Sequence, residues 1–161
     1  MIPIISVVGK SNVGKTTLLE KLLPELKKRG YRVATIKHDV HGFSIDQPGK
    51  DTWRHAQAGA DMVIISSQQK MAVIERVEQE RTLDEIATGI ENIDLILTEG
   101  YKRQDKPKIE VYRPERSETL LCKKEELVAI ATDVPLNMGV PEFALDDSIG
   151  LVDLIEEKFL K

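Results

Sequence analysis

Two glycines, a lysine and two threonines are the first residues in the chain whose types and spacing suit chemistry. The stretch Gly9-Lys10-Ser11-Asn12-Val13-Gly14-Lys15-Thr16-Thr17 fits G-x-x-x-x-G-K-[ST], the phosphate-binding loop. Gly9 and Gly14 let the backbone wrap without Cβ clashes, so that successive N–H groups, those of Asn12 and Val13 among them, converge on one anion at a helix start. Lys15 is placed to reach the β- and γ-phosphates of a nucleoside triphosphate, and the Thr16 hydroxyl to take one position on Mg²⁺. A glycine-rich turn that merely joined strand to helix would give no reason for Lys-Thr after the second glycine.

A phosphate site of this kind needs an acid at the end of a buried strand, and Asp94-Leu95-Ile96-Leu97-Thr98-Glu99-Gly100 offers Glu99 as metal-side and catalytic carboxylate. From there it would hold metal-bound water or polarise an attacking one. Gly100 would leave room for the γ-phosphate. Asp94, at the opposite end of the strand, reads as structural. Lys37, His38 and Asp39 close the second strand at the same sheet edge and would line the substrate side. Asp39 is a candidate base or metal-water ligand, and His38-Asp39-Val40-His41 is a weaker metal reading. Lys50 and Arg54 could meet a phosphate or could equally be solvated helix charges. No guanine-reading N-K-x-D occurs. Asp133, after Ala131-Thr132, is placed to accept from guanine N1 and N2 donors, or is only a turn residue before Pro135. Tyr101 to Arg116 gathers Lys102, Arg103, Lys106, Lys108, Arg113 and Arg116, and would be a flap over phosphates, a dock for an anionic partner, or a solvated loop.

The elements that must position these residues follow from periodicity. Ile4, Ile5, Val7 and Val8 form a β-branched run before the loop, and leucines at 18, 19, 22, 23 and 26 recur at helical spacing after it. The helix should run from Lys15 to about Arg29 and stop at Gly30, with a kink or tightened turn from Pro24. Arg32–His38 completes a strand–helix–strand unit and so a parallel sheet. Lys50–Ala58 is a short helix. Met62–Ser67 and Met71–Val77 read as an antiparallel hairpin. Thr82 and Glu85 make a capping box for a helix ending near Gly89. Asp94–Thr98, Lys108–Tyr112 (by alternation) and Val128–Thr132 are further strands, and Ser148 caps a last helix carrying Val152, Ile155 and Phe159 on one face. The fold expected is a three-layer α/β P-loop NTPase sandwich, a mostly parallel sheet plus an antiparallel hairpin, in one domain over residues 1–161.

Composition fits that class. Of 161 residues, 41% are hydrophobic and 31% charged, ordinary for a globular protein, and no apolar run nears the roughly 20 residues of a membrane helix. A net charge of −4 argues against DNA, RNA or an anionic membrane as partner. The start lacks a basic, apolar leader, and the single cysteine, Cys122, reads as a small half-buried residue without chemistry. Both lead to the expectation of a cytoplasmic protein.

Taken in order, the loop, Thr35-Ile36-Lys37-His38, Asp46-Gln47-Pro48-Gly49-Lys50-Asp51-Thr52-Trp53-Arg54, Ala58-Gly59-Ala60 and Leu95-Ile96-Leu97-Thr98-Glu99-Gly100-Tyr101-Lys102 resemble the MobB family, the adaptor proteins of molybdopterin-guanine dinucleotide biosynthesis. The resemblance implies GTP and Mg²⁺ as ligands, at most a slow GTPase, and a homodimer that assists the molybdenum cofactor guanylyltransferase and bridges to molybdenum-insertion proteins. By the same resemblance Gly9, Gly14, Lys15, Thr16 and Thr17 take the phosphate and magnesium roles. Glu99 and Gly100 form the second element, and Lys37, His38, Asp46, Lys50, Asp51 and Arg54 are the family's polar set. Slow hydrolysis agrees with a chain that shows no obvious water-orienting Gln and no assured arginine finger. The alternative is a P-loop small-molecule kinase with Asp39 as base and residues 101–116 as lid. Edge strands at Met71–Val77 or Lys108–Tyr112 would serve dimerisation by strand addition.

Overall fold

A computed structural model describes all of residues 1–161 and divides them into two compact units, Met1–His38 with Ala87–Lys161, and Asp39–Ile86. The first unit carries six strands: β1 (Ile4–Val8), β2 (Val33–Lys37), β5 (Leu95–Glu99), β6 (Lys108–Val111), β7 (Leu127–Ala131) and β8 (Glu142–Phe143). Their order is β2-β5-β1-β6-β7-β8, and every pairing is parallel. Parallel neighbours put all the carboxyl ends on one edge, and β1 occupies the middle with β5 on one side and β6 on the other.

Each central strand is buried on both faces, which is why it reads as a near-continuous apolar run. Ile5, Val7, Leu95, Leu97, Ile109 and Val111 point to the face covered by α1 (Lys15–Lys28) and α4 (Ser148–Ile155). Leu18, Leu22 and Leu26 of the first helix and Leu151, Val152 and Ile155 of the second complete that core. On the other face Val8 and Ile130 pack with Tyr112, Cys122, Leu127 and Val140. Phe159 packs against the α1–α4 core as its spacing predicted. The α1 helix continues through Pro24, which is exposed, so the Glu20 carbonyl that loses its N–H partner faces water. Gly30, at φ 91°, follows the helix in the left-handed conformation expected there.

Three expectations need correction. The last helix is capped by Asp147, whose Oδ1 accepts from the Gly150 N–H at 2.9 Å, because Ser148 is already inside the helix. The segment Lys108–Tyr112 is no edge: β6 lies between β1 and β7 with all four residues buried. Its polar members are hydrogen-bonded, Lys108 Nζ donating to Gln104 O (2.7 Å) and Glu126 Oε1 (2.9 Å), and Glu110 accepting from the Leu121 and Cys122 N–H groups (2.6 and 3.0 Å). The stretch 101–116 is therefore not one flap, since its middle is core. Cys122, expected half-buried, is buried, and its thiol is pushed up to about 12, by burial first and the Glu110 carboxylate next.

The second unit holds α2 (Asp51–Gln57) and the antiparallel hairpin of β3 (Met62–Ser66) and β4 (Met71–Glu75), a sheet of its own. Its last residues open α3 (Leu83–Thr88). Thr82 and Glu85 make the capping box, the Thr82 N–H donating to Glu85 Oε2 at 2.7 Å and the Glu85 N–H to Thr82 Oγ1 at 3.2 Å. No helix is long and apolar enough to cross a membrane.

The first helix is tied to the chain's end by charge. Glu156 accepts from the Tyr31 hydroxyl (2.7 Å) and from Arg29 Nη1 (2.9 Å), and Tyr31 first, then Arg29, hold its carboxyl below the ordinary range. A lowered folded pKa contributes stability that is whole above the unfolded value and is lost as pH falls through the folded one. Glu156→Gln should melt a few degrees below wild type near neutral pH, with the gap closing below about pH 4, read by circular-dichroism melts across pH. A gap that does not change with pH would reject this account.

Candidate functional site

The loop between β1 and α1 takes the form its glycines allow. Gly9 has φ 150°, and a Cβ there would lie 2.7 Å from Val111 O and 2.8 Å from Val13 Cγ1, so only glycine lets the loop leave β1 against the end of β6. Val13 is buried as the loop's anchor. Asn12 (φ 59°) and Gly14 (φ 111°) both adopt left-handed backbone, and α1 opens at Lys15; the Val13 N–H, expected to face an anion, donates within the loop to Lys10 O at 3.3 Å. Lys15 Nζ folds over the loop and donates to Gly9 O (3.2 Å) and Lys10 O (3.0 Å).

Thr16 and Glu99, far apart in sequence, meet here. The Thr16 hydroxyl is 3.0 and 2.9 Å from the two Glu99 oxygens, because β5 pairs with β1 and ends at Glu99 beside the loop. Lys37, at the end of β2, has Nζ 3.9 Å from Glu99 Oε1, a loose and mostly exposed contact of small energetic weight. The turn after Glu99 is tightly determined. The Gly100 N–H donates to Val7 O and the His38 N–H to Glu99 O (3.1 and 3.0 Å), and the rings of His38 and Tyr101 stack with centroids 4.7 Å apart. Gly100, at φ 97°, has His38 Cβ 3.4 Å from the place of its missing Cβ, so its smallness serves the close passage of β2. Tyr101 is itself left-handed at φ 56°, a strained conformation of the kind held at functional turns.

On the opposite side of the loop lies Arg113, just past β6. Its Nη2 and Nε are 3.7 and 3.9 Å from where a Gly14 Cβ would be. In the sequence Arg113 is only one of the basic residues between Tyr101 and Arg116. The signal that singles it out is its place right after a buried strand, which becomes informative once β6 is known to adjoin β1. Asp133, after β7, is at the same sheet edge, and its Oδ1 accepts from the Leu145 N–H at 3.0 Å. Thr17 is exposed in the first turn of α1.

Lys50 and Arg54 belong to the second unit, Lys50 at the cap position of α2 and Arg54 one turn on, both exposed. Asp39 accepts from the His41 N–H at 2.9 Å, closing its own turn. In the same unit Asp46 Oδ1 holds the Gln47 N–H and the Thr52 hydroxyl (2.8 and 3.2 Å), so this member of the polar set braces the loop before α2.

Electrostatically the loop is cationic with one acid in it. Burial is the main influence lowering the Lys15 ammonium below its ordinary range, Glu99 opposes it, and Lys37 and Lys102 add to the lowering. Lys15 at the start of α1, with the charges of Lys37 and Lys102 acting on it, suits a polyphosphate. Thr16 and Glu99 fit Mg²⁺ as two oxygen groups, since that ion keeps waters and phosphate oxygens in its shell. The chain gathers no group of three or more His, Cys, Asp or Glu side chains that could hold a metal by themselves.

Residues 4–133 match the family model described as MobB, molybdopterin guanine dinucleotide synthesis protein B. The chain belongs to the MobB family. It is 39% identical to the molybdopterin-guanine dinucleotide biosynthesis adapter protein of Escherichia coli, covering 98% of this chain and 93% of that one. The protein of the same description from Haemophilus influenzae is 37% identical over 96% of this chain and 88% of its own length. A crystal structure of molybdopterin-guanine biosynthesis protein B superposes with a TM-score of 0.76 at 32% identity, over 96% of this chain and 98% of the other. Bacillus subtilis MobB does so with 0.75 at 28%, over 98% of each chain. Both the loop and Glu99 fall within the span that matches the MobB model.

The loop's dependence on Gly9 is testable. Gly9→Ala should destabilise the protein by about 1–3 kcal/mol, because its Cβ meets backbone on one side and a buried side chain on the other. Urea unfolding would read this, and an unchanged midpoint would mean that the loop is not held against β6 as described.

Proposed function

We propose that this MobB-family adapter of molybdopterin-guanine dinucleotide biosynthesis works by binding GTP with Mg²⁺ at the β1–α1 loop. The observation that carries the reading is the Thr16–Glu99 pair, 2.9–3.0 Å apart, next to a loop whose Lys15 and left-handed Gly14 are set for phosphates. Lys15 would exchange its bonds to two neutral carbonyls for bonds to anionic phosphate oxygens. Thr16 would ligate Mg²⁺ directly, and Glu99 would hold the ion's water. When bound, the ion neutralises phosphate charge. Hydrolysis is slow on this reading, and the bound nucleotide sets which partner the adapter holds. The guanylyltransferase of the pathway and molybdenum-insertion proteins are the partners that suit such a role, in the cytoplasm.

A homodimer is part of the proposal. In the hairpin, Met62, Ile64, Met71 and Val73 fall on one side by strand alternation and all are exposed, whereas on the other side Val63 is buried and Ile65 exposed. An apolar face of this kind is commonly an interface, and the open edge of β4 offers strand addition as well.

Three measurements test the reading. Calorimetric titration with GTP and with ATP, both with Mg²⁺, should give at least tenfold tighter GTP binding, about 1.4 kcal/mol, abolished in Lys15→Ala. Equal affinities, or binding that survives Lys15→Ala, would reject it. Turnover should stay below about 1 per second without a partner. Sedimentation should show a dimer at micromolar concentration, and Ile64→Lys with Val73→Lys should give a folded monomer. A wild-type monomer would remove dimerisation from the proposal.

A further inference from the structure

The site has a direction. Thr16, Glu99 and Lys37 lie on the β5–β2 side of the loop, so on the triphosphate reading above, on which this inference rests, the metal and terminal phosphate occupy that side. A nucleotide threaded along the loop then has its nucleoside on the β6–β7 side. The side chain placed against the loop there is Arg113, with two guanidinium nitrogens within 4 Å of the space beside Gly14 Cα.

We infer that Arg113 is a nucleoside-contacting residue, holding the purine base by its O6 and N7 edge. Three observations support it. Arg113 is exposed and has no carboxylate partner within the chain, so its donors are not spent on structure. Its backbone is fixed: Tyr112 before it is buried and its N–H donates to Ala131 O, while Arg113 O accepts from the Arg116 and Ser117 N–H groups (3.0 and 3.1 Å). The returning limb of the same loop is pinned by buried Glu110 at Leu121 and Cys122. A planar fork of donors on a fixed root matches the two acceptors that guanine presents at O6 and N7, whereas adenine presents a donor in place of O6. Asp133, at the end of the neighbouring strand, has one oxygen taken by Leu145 N–H and is the residue for the opposite, donor edge.

The test compares wild type, Arg113→Ala and Arg113→Lys for binding of GTP, ATP and inorganic tripolyphosphate, each with Mg²⁺, by calorimetry. Arg113→Ala should weaken GTP about tenfold or more while tripolyphosphate stays within about twofold and the preference for GTP over ATP collapses. Arg113→Lys should not restore the preference, because a single ammonium lacks the fork. Unchanged GTP affinity would overturn the assignment. So would an equal loss for GTP and tripolyphosphate, which makes Arg113 a phosphate ligand, or an equal loss for GTP and ATP, which removes the O6 contact. Failure of the nucleotide reading looks different: wild-type protein would then bind neither GTP nor tripolyphosphate, and the Arg113 assignment would fall with it.

Discussion

Strand β1 pairs in parallel along both edges, with β5 over Ile4–Val7 and with β6 over Ser6–Val8, and the geometry of the site depends on that double pairing. Because all three strands run the same way, the loop leaving β1, the acid ending β5 and the arginine following β6 emerge together. The register is held in the interior by apolar side chains and by one buried polar contact, the Thr98 hydroxyl donating to Ser6 Oγ at 2.9 Å. A slip of one residue on either side would turn Leu95 and Leu97, or Ile109 and Val111, away from α1 and α4. It would also turn Glu99 away from Thr16. The same apolar pattern that builds the core therefore sets the distance between two residues separated by more than half the chain.

Local satisfaction shapes what the site can do. Lys15 lies on two loop carbonyls and Thr16 on a carboxylate, so an incoming anion exchanges existing bonds for stronger ones. The gain for Lys15 is the difference between ammonium bonds to neutral carbonyls and ammonium bonds to anionic phosphate oxygens, not their full strength. Glu99 has a second effect. Its charge opposes the influence of Lys37 and Lys102 on the Lys15 ammonium, which favours the charged lysine before any phosphate arrives.

Much of this was legible in the sequence where local spacing carries the physics. The loop, the α1 register, the Thr82–Glu85 box and the hairpin each depend on residues a few positions apart, and each is found in the structure. The place of Glu99 beside Thr16 was legible because an acid ending a buried run beside the loop strand emerges at the loop. What failed depended on partners distant in sequence. Lys108 and Glu110 alternate with apolar residues and so imitate a half-exposed strand, yet both are buried because Glu126 and the Leu121 and Cys122 amides satisfy them. Arg113 was hidden for the same reason: strand order decides its neighbour, and no local pattern encodes that β6 adjoins β1. The two-residue β8 is too short to leave a pattern, and Asp147 and Ser148 are both good caps one position apart.

The buried charges of β6 are linked to the exposed one that follows it. A strand between two parallel neighbours is most cheaply filled with apolar residues, and burying Lys108 and Glu110 costs desolvation that their partners only offset. What they supply in return is position. Lys108 ties β6 back to Gln104 at its start, and Glu110 holds the two amides where the chain returns after Arg113. An apolar pair would fill the same volume but leave those backbone groups unpartnered and the loop free to shift. The polar strand is therefore best understood as the support that keeps Arg113 against Gly14, so that a cost in the core is tied to order at the sheet's edge.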